Sequence, residues 1–399
     1  MKPNTQLLLV CVWMLILLIG SSRCAKGKKN EVKYTCRDNF HAPVDWFVVY
    51  KLPDISDHPN ILVKDGIAFE YQDANTPADQ GWRLMSVGIN ETRHAVDYTI
   101  QQIYGNQENT LTLMYNDDHP GEKGSSYRGH TKGLMQFDGQ TGWWLIHSVP
   151  EFPGNTSYSY PDSGLKNGQS FMCVTFNTET LPAIARQLYL TQPSIYSKSL
   201  PTSIFGAKKY DQLRKVLDGR SAGSKEPQTN VVKLMSRGGT EFTHMAKHKR
   251  WNQDLYSGLV APTLQHSIYT ETWLNGPGDL TPNCTAKYKT QDIHSVRMER
   301  AQFTSSKDHS KWAISQSPQA DGAWVCVGDI NRQASQARRG GGTMCKNDQR
   351  LWSTYDGLVG RVVQCDGEVL GMKRAARSMR GSGLGVMMLL IMIGIAWVH

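Results

Sequence analysis

Two short segments, Gly129-His130-Thr131-Lys132-Gly133 and Asp308-His309-Ser310-Lys311-Trp312, put the same His-x-Lys pair into each half of this chain. Such a repeat fits the cleavage of a phosphodiester. One imidazole attacks phosphorus, the second protonates the departing oxygen, and two ammonium groups neutralise the phosphate oxygens. On a strand, residues i and i+2 face the same way, so each His and Lys would project together into one pocket. The chain has 12 histidines, and roughly one His-x-Lys is expected in it by chance, so the flanking residues must carry the argument.

Those flanks read as strands. Val44-Asp45-Trp46-Phe47-Val48-Val49-Tyr50-Lys51-Leu52-Pro53 is a β-rich run stopped by proline. Thr110 to Tyr115 is another, closed by the turn signal Asn116-Asp117-Asp118. His130 to Phe137, a turn at Asp138-Gly139, and Trp143 to Ser148 predict two paired strands, with Phe171 to Phe176 a further one. In the second half, Lys311-Trp312-Ala313-Ile314 leads through Asp321-Gly322 to Trp324-Val325-Cys326-Val327-Gly328-Asp329. Each half thus opens a strand at His-x-Lys, turns at Asp-Gly and returns on a Trp-containing apolar strand, the pattern of a degenerate duplication. Helical spacing covers Leu181 to Leu190 and Tyr210 to Leu217, and a polar, Gly/Ser-rich stretch follows. The expected organisation is a leader at 1–24, a first lobe at 25–217, a polar loop at 218–230 near the lobe junction, a second lobe at 231–370, and a basic and apolar tail at 371–399.

Composition narrows the setting. A formal net charge of +9 suits an anionic partner, although much of the excess lies near the two ends. Lys2, the apolar run Leu7 to Gly20 and the small residues through Ala25 have the three-part form of a secretory signal peptide. Beyond it stand Cys36, Cys173, Cys284, Cys326, Cys345 and Cys365, an even number without a Cys-x-x-Cys, which favours disulfides over zinc. Sequons at Asn90, Asn155 and Asn283 agree with passage through the secretory pathway, to a lysosome or the outside. Gly383 to Val398 is apolar behind Lys373, Arg374, Arg377 and Arg380, so membrane attachment is expected, either as a span or through a lipid anchor. His244 and His248 have the spacing of a zinc helix but lack its glutamate, and no metal or cofactor is expected. Arg338-Arg339-Gly340-Gly341-Gly342 offers amides and guanidinium groups to phosphate, or else a tight turn toward Cys345. Trp143, Trp144 and Trp324 belong in the core.

The strand run at Val44 to Pro53, Arg128 to Gly133, His147-Ser148-Val149-Pro150, Asp308 to Trp312, Cys326-Val327-Gly328-Asp329-Ile330-Asn331-Arg332 and Arg339 to Cys345 together resemble the deoxyribonuclease II family. The blocks run in family order across nearly the whole chain beyond the leader. The resemblance implies an α+β (mixed α/β) fold of the phospholipase D type, with two similar lobes, each a β-sheet flanked by helices. It implies pairing of Cys36 with Cys173, Cys284 with Cys365 and Cys326 with Cys345. It also implies a metal-independent acid endonuclease that cuts DNA to 3′-phosphate and 5′-hydroxyl ends, with His130, Lys132, His309 and Lys311 catalytic. The superfamily's Gly-Ser-x-Asn element reads Gly328-Asp329-Ile330-Asn331 in the second half, making Asn331 a candidate phosphate ligand. In the first half Pro150 stands in place of that Asn, so His147 or Ser148 would have to fill the role. Which histidine is the nucleophile stays open, with His309 the first to substitute. Two alternatives stand beside this reading: a phosphodiesterase acting on a lipid or another phosphodiester, and a non-catalytic secreted nucleic-acid binder or toxin.

Overall fold

The computed structural model describes residues 33–372 except 106, 122–123, 299–300 and 319–321. The expected leader, the apolar tail and Asp321 of the second Asp-Gly turn lie outside the described residues. Among the described residues, no helix is long and apolar enough to cross a membrane.

The run Trp46–Lys51 shows how sequence sets the architecture. All six residues are buried, because the strand is covered on both sides. Trp46, Val48 and Tyr50 face a central core, while Phe47 and Val49 face an outer one. The tryptophan pair in Thr141–His147 divides the same way, Trp144 inward and Trp143 outward. Of the tryptophans read as core, Trp143 and Trp144 are buried, while Trp324 is only half-buried against a third cluster.

The first sheet has eight antiparallel strands in the order Ile195–Ser199, Leu111–Asn116, Lys132–Phe137, Thr141–His147, Gln169–Asn177, Trp46–Lys51, Phe69–Asp73, Arg83–Leu84. The second sheet runs Thr229–Met235, Glu241–Lys247, Gly341–Asn347, Trp324–Gly328, Trp312–Ser315, Ile268–Glu271, Thr290–Met298, Val359–Val363, Val369–Gly371, with Ala301–Thr304 added beside Thr290–Met298. Among the described residues, its one parallel pair joins Ile268–Glu271 to Thr290–Met298. From the His-x-Lys strand onward both sheets repeat one order: that strand, its hairpin partner, a later strand, then the strand carrying Tyr50 or Ala246. The protein is therefore an α+β fold of two similar lobes.

Helices Leu181–Thr191, Asp211–Leu217 and Gln349–Asp356 contribute to the central core shared by the sheets. Pro182 sits in the first turn of Leu181–Thr191, where its missing N–H costs nothing, and Gln192 at φ 62° ends the helix. Asp348 caps Gln349–Asp356 by accepting the N–H groups of Arg350 and Leu351 at 2.9 and 3.0 Å. Outside the first sheet lies Ala95–Gln101; outside the second, the turn of helix around Tyr256–Leu264. Asp138 makes the expected turn, its carboxylate accepting from the N–H groups of Gln140 and Thr141. Part of the polar stretch 218–230 is already sheet, since Thr229 and Asn230 pair with Lys247 and Ala246.

Disulfides join Cys36 to Cys173, Cys284 to Cys365 and Cys326 to Cys345. Each stays within one half of the chain. Phe47 is fully buried in the outer core of the first lobe, so Phe47→Ala is expected to cost about 3–5 kcal/mol. Denaturant unfolding of the disulfide-intact protein measures this, and an unchanged midpoint would contradict two-sided burial of that strand.

Candidate active site

His130 and His309 stand just ahead of their strands rather than on them. The ladders begin at Lys132 and Trp312, so the shared-face argument for His and Lys on one strand does not hold. What fixes each histidine comes from the other lobe. The His130 N–H donates to the Gly340 carbonyl at 2.9 Å, and the His309 N–H donates to the Gly168 carbonyl at 2.8 Å. These are equivalent bonds, because the register sets Gly168 against Gly340 as Ser170 against Gly342. A side chain at Gly129 or Gly340 would collide with the Thr191 carbonyl at the end of Leu181–Thr191, so this junction closes only around glycine.

The His130 ring is oriented across the lobes as well. Its Nδ1 lies 2.5 Å from the Asp329 carbonyl oxygen. A carbonyl only accepts, so Nδ1 carries the proton and Nε2 is left free for chemistry. That Nε2 stands 3.9 Å from Asp117 Oδ2. Asp117 also accepts from the Lys132 ammonium and pairs with the Arg339 guanidinium at 3.1 Å. Arg339 is itself held by the Ser125 and Arg128 carbonyls at 2.8 and 3.0 Å. Burial pushes the Asp117 carboxyl up, but His130, Lys132 and Arg339 together hold it well below the usual carboxylate range.

His309 has a different companion. The Trp273 ring meets it edge-on at 4.2 Å between centroids, and His309 Nε2 has no hydrogen-bond partner among the described residues. Trp273 and Asp117 occupy equivalent places, each following the strand that flanks His-x-Lys. Behind His309, the buried Asp308 accepts from the Tyr50 hydroxyl of the first lobe and from Ser310 N–H at 2.9 Å. The Lys311 ammonium donates to the His309 carbonyl. Burial, then Lys132, pushes Lys311 down to about 7. Burial lowers both imidazoles, aided by the lysines: His130 to about 3, with Asp117 opposing, and His309 to about 2. The two imidazoles and both lysines thus share one electrostatic environment, since His309 is lowered by Lys311, Lys132 and His130 alike.

His147, Ser148, His244 and Asn331, also singled out by sequence, are all buried. His147 is fully buried, packed against Phe152 and Phe171 at 5.3 and 5.9 Å, with Nδ1 accepting from Val149 N–H at 3.2 Å. It fills the core behind Lys132. Ser148 donates to Gln169 Oε1 at 2.6 Å and accepts from Ser170 N–H at 2.9 Å. The second-lobe counterpart of that last bond is Asp329 Oδ1 accepting from Gly342 N–H at 3.0 Å. Asn331 accepts from Trp273 N–H at 3.3 Å, which seats the ring lying on His309. His244 is on a strand, buried under Trp144 with its Nδ1 hydrogen-bonded to the Gln187 amide, so it is no part of a zinc helix. In the Arg338–Gly342 segment, Arg339 reaches Asp117, Gly340 sits at the lobe junction, and Gly341 already begins a strand. Asp117, Trp273 and the Asp329 carbonyl were missed as site groups, whereas Arg339 was singled out only as a candidate phosphate ligand. Of the three, only Asp117 carried a signal, being an acid in the turn directly after a strand that flanks His-x-Lys.

The deoxyribonuclease II family profile matches residues 35–365. This chain belongs to the deoxyribonuclease II family. It is a hydrolase of that type, a nuclease acting on DNA. It is 37% identical over 364 residues to the cell death-related nuclease 6 of Caenorhabditis elegans, covering 88% of this chain and 93% of that one. It is 37% identical to deoxyribonuclease-2-alpha of Rattus norvegicus, covering 83% and 94%, and 35% identical to plancitoxin-1 of Acanthaster planci, covering 83% and 92%. Among solved structures, yeast tyrosyl-DNA phosphodiesterase superposes with a TM-score of 0.31 at 9% identity over 63% of this chain and 86% of that one, too slight a likeness to bear on the fold.

The charges set the acid behaviour of the free protein. A depressed carboxyl such as Asp117 stabilises the fold fully above its unfolded-state value, and that contribution is lost as pH falls through the lower folded value. Imidazoles kept neutral by the fold also destabilise it in acid, because the unfolded chain takes up their protons below about 6.5. Asp117→Asn leaves the buried Lys132 without its counter-charge, with an expected loss of about 3–5 kcal/mol at pH 7. The gap from the parent protein should narrow below about pH 4, where the unfolded parent chain takes up the proton that the folded carboxylate still resists. Thermal unfolding from pH 3 to 8 measures both effects; a gap that widens in acid would refute the assignment.

Proposed function

We propose that this nuclease is a metal-independent acid endonuclease that leaves 3′-phosphate and 5′-hydroxyl ends, with His309 as nucleophile and His130 as general acid. The observation that carries this reading is the asymmetry of companions around two otherwise equivalent histidines. Asp117 favours a proton on His130, whereas among the described residues no carboxylate pairs with the free Nε2 of His309. His309 Nε2 attacks phosphorus, the P–O5′ bond breaks, and His130 gives its Nε2 proton to the departing 5′ oxygen. A phosphohistidine results. Water then attacks phosphorus, His130 takes the proton from that water, and the P–N bond breaks to release the 3′-phosphate and restore neutral His309. Lys132, Lys311 and Arg339 supply the positive charge that neutralises the phosphate oxygens.

The acid window follows from the same groups. Lys311, lowered to about 7, is fully charged for phosphate only on the acid side. His130 must be protonated while His309 is neutral, and Asp117 keeps His130 above His309. A bound phosphate adds negative charge that raises both imidazoles toward the working range. The disulfides and the exposed Asn90 and Asn155 support passage through the secretory route, to a lysosome or outside the cell; Asn283 is half-buried beside Cys284. Of the other expectations, membrane attachment rests on residues outside those described, and is retained only as a reading of their composition. Catalysis on DNA is favoured over a lipid substrate because the relatives quoted are named as nucleases.

Activity on plasmid DNA is expected to persist in a strong chelator, rise as pH falls below about 6.5, and vanish in His309→Ala. Loss of activity in chelator would end the metal-free reading. The two roles separate on a thymidine 3′-(p-nitrophenyl phosphate) ester, whose leaving group needs no proton. His130→Ala should lose about a hundredfold or more on DNA while sparing much of the ester reaction. His309→Ala should lose both, and the opposite pattern would exchange the assignments.

A further inference from the structure

Two buried lysines outside the His-x-Lys pairs occupy equivalent positions in the two lobes. Lys51 ends the strand Trp46–Lys51 and is paired in register with Gln169; Lys247 ends Glu241–Lys247 and is paired with Gly341. Both are completely buried. The Lys51 ammonium donates to the Leu165 and Asn167 carbonyls, each at 2.6 Å. The Lys247 ammonium donates to the Gln336, Ala337 and Arg339 carbonyls at 3.1, 2.9 and 2.6 Å. Neither makes an ion pair with a carboxylate among the described residues.

A buried ammonium without a counter-ion is expensive, and an apolar side chain would ordinarily serve a strand end better. Its use twice, at matching sites, calls for a gain that packing does not supply. The next residue after each clamped loop provides it. Loop 165–167 leads into Gly168, whose carbonyl takes the His309 N–H, and loop 336–339 leads into Gly340, whose carbonyl takes the His130 N–H. Several carbonyls turned toward one point repel each other, and a three-donor cation at that point holds them there.

We propose that Lys51 and Lys247 are positioning residues for the nuclease reaction, each clamping the loop whose glycine carbonyl fixes the histidine of the opposite lobe. Lys51 acts through Gly168 on His309, and Lys247 through Gly340 on His130. The proposal rests on the catalytic reading of the two histidines. Neither lysine touches the reacting atoms; each acts on where an imidazole stands, where an error of about 1 Å can cost on the order of a hundredfold in rate.

The test uses the full chain with Lys51→Met, Lys247→Met and the milder Lys51→Gln and Lys247→Gln, which keep a donor for one carbonyl. Steady-state rates are measured on DNA and on the p-nitrophenyl ester, alongside hydrogen exchange at the His130 and His309 amides. Lys247→Met is expected to lower kcat on DNA by roughly tenfold or more with KM within about twofold, spare the ester, and speed exchange at His130 alone. Lys51→Met should lower both substrates alike and speed exchange at His309 alone. The Gln variants should recover part of each loss, and they carry the test if the Met variants do not fold. Rates that fall only with the folded fraction, or exchange that rises equally at both histidines, would overturn the proposal. Full activity in His309→Ala would bring down the catalytic reading and this one with it. Loss there, with lysine variants unaffected, removes only the positioning role.

Discussion

The structure depends on a reciprocal exchange of main-chain hydrogen bonds between the lobes. Each site histidine has its peptide N–H on a glycine carbonyl of the opposite sheet's loops. A buried N–H without a partner is costly, so neither lobe can satisfy its own site segment. The distance between the imidazoles is therefore a property of the junction and not of either sheet. The large apolar layer shared by the sheets makes that junction stiff, because close-packed interiors resist small displacements. The Thr191 carbonyl, wedged between Gly129 and Gly340, adds a stop that no side chain could share.

On this near-symmetric frame the chemistry is asymmetric. Ser148 and Asp329 accept equivalent N–H groups, yet Ser148 is closed into the first lobe by Gln169 while Asp329 lends its carbonyl to His130. Asp117 and Trp273 diverge further, one a charged neighbour and the other an aromatic edge. In the proposed reaction, proton transfer needs two imidazoles in opposite protonation states, which a symmetric environment would supply poorly and these departures from symmetry would favour.

Much of the scaffold was legible in the residues. The two-sided strand at Trp46–Lys51, the Asp138 turn and the helices near 181–190 and 210–217 follow from side-chain type and spacing. The two His-x-Lys pairs were legible too, and the half-cystine pairing came with the family resemblance. The partners that tune the site were not. The Asp329, Gly168 and Gly340 carbonyls act through the main chain, which carries no residue-type signal, and Arg339 meets Asp117 across more than two hundred residues. His147 and Ser148 looked like site residues because Pro150 replaces the Asn of the family's Gly-Ser-x-Asn element in the first half. The motif does not say that Phe152 and Phe171 would seal that corner of the first lobe. Lys51 was hidden in an apolar run, where a terminal lysine reads as a solvated end.

The confinement of every disulfide to one half has a consequence for biosynthesis. Cys36 and Cys173 can close before the second half leaves the ribosome, and the later bridges need nothing from the first. His130 by then has neither the Asp329 nor the Gly340 carbonyl, and Asp117 lacks Arg339. A nascent chain can thus be oxidised and half folded before the contacts around His130 and Asp117 are complete. On the proposed mechanism, competence to cut would arrive only once the later segments carrying Asp329, Arg339 and Gly340 dock.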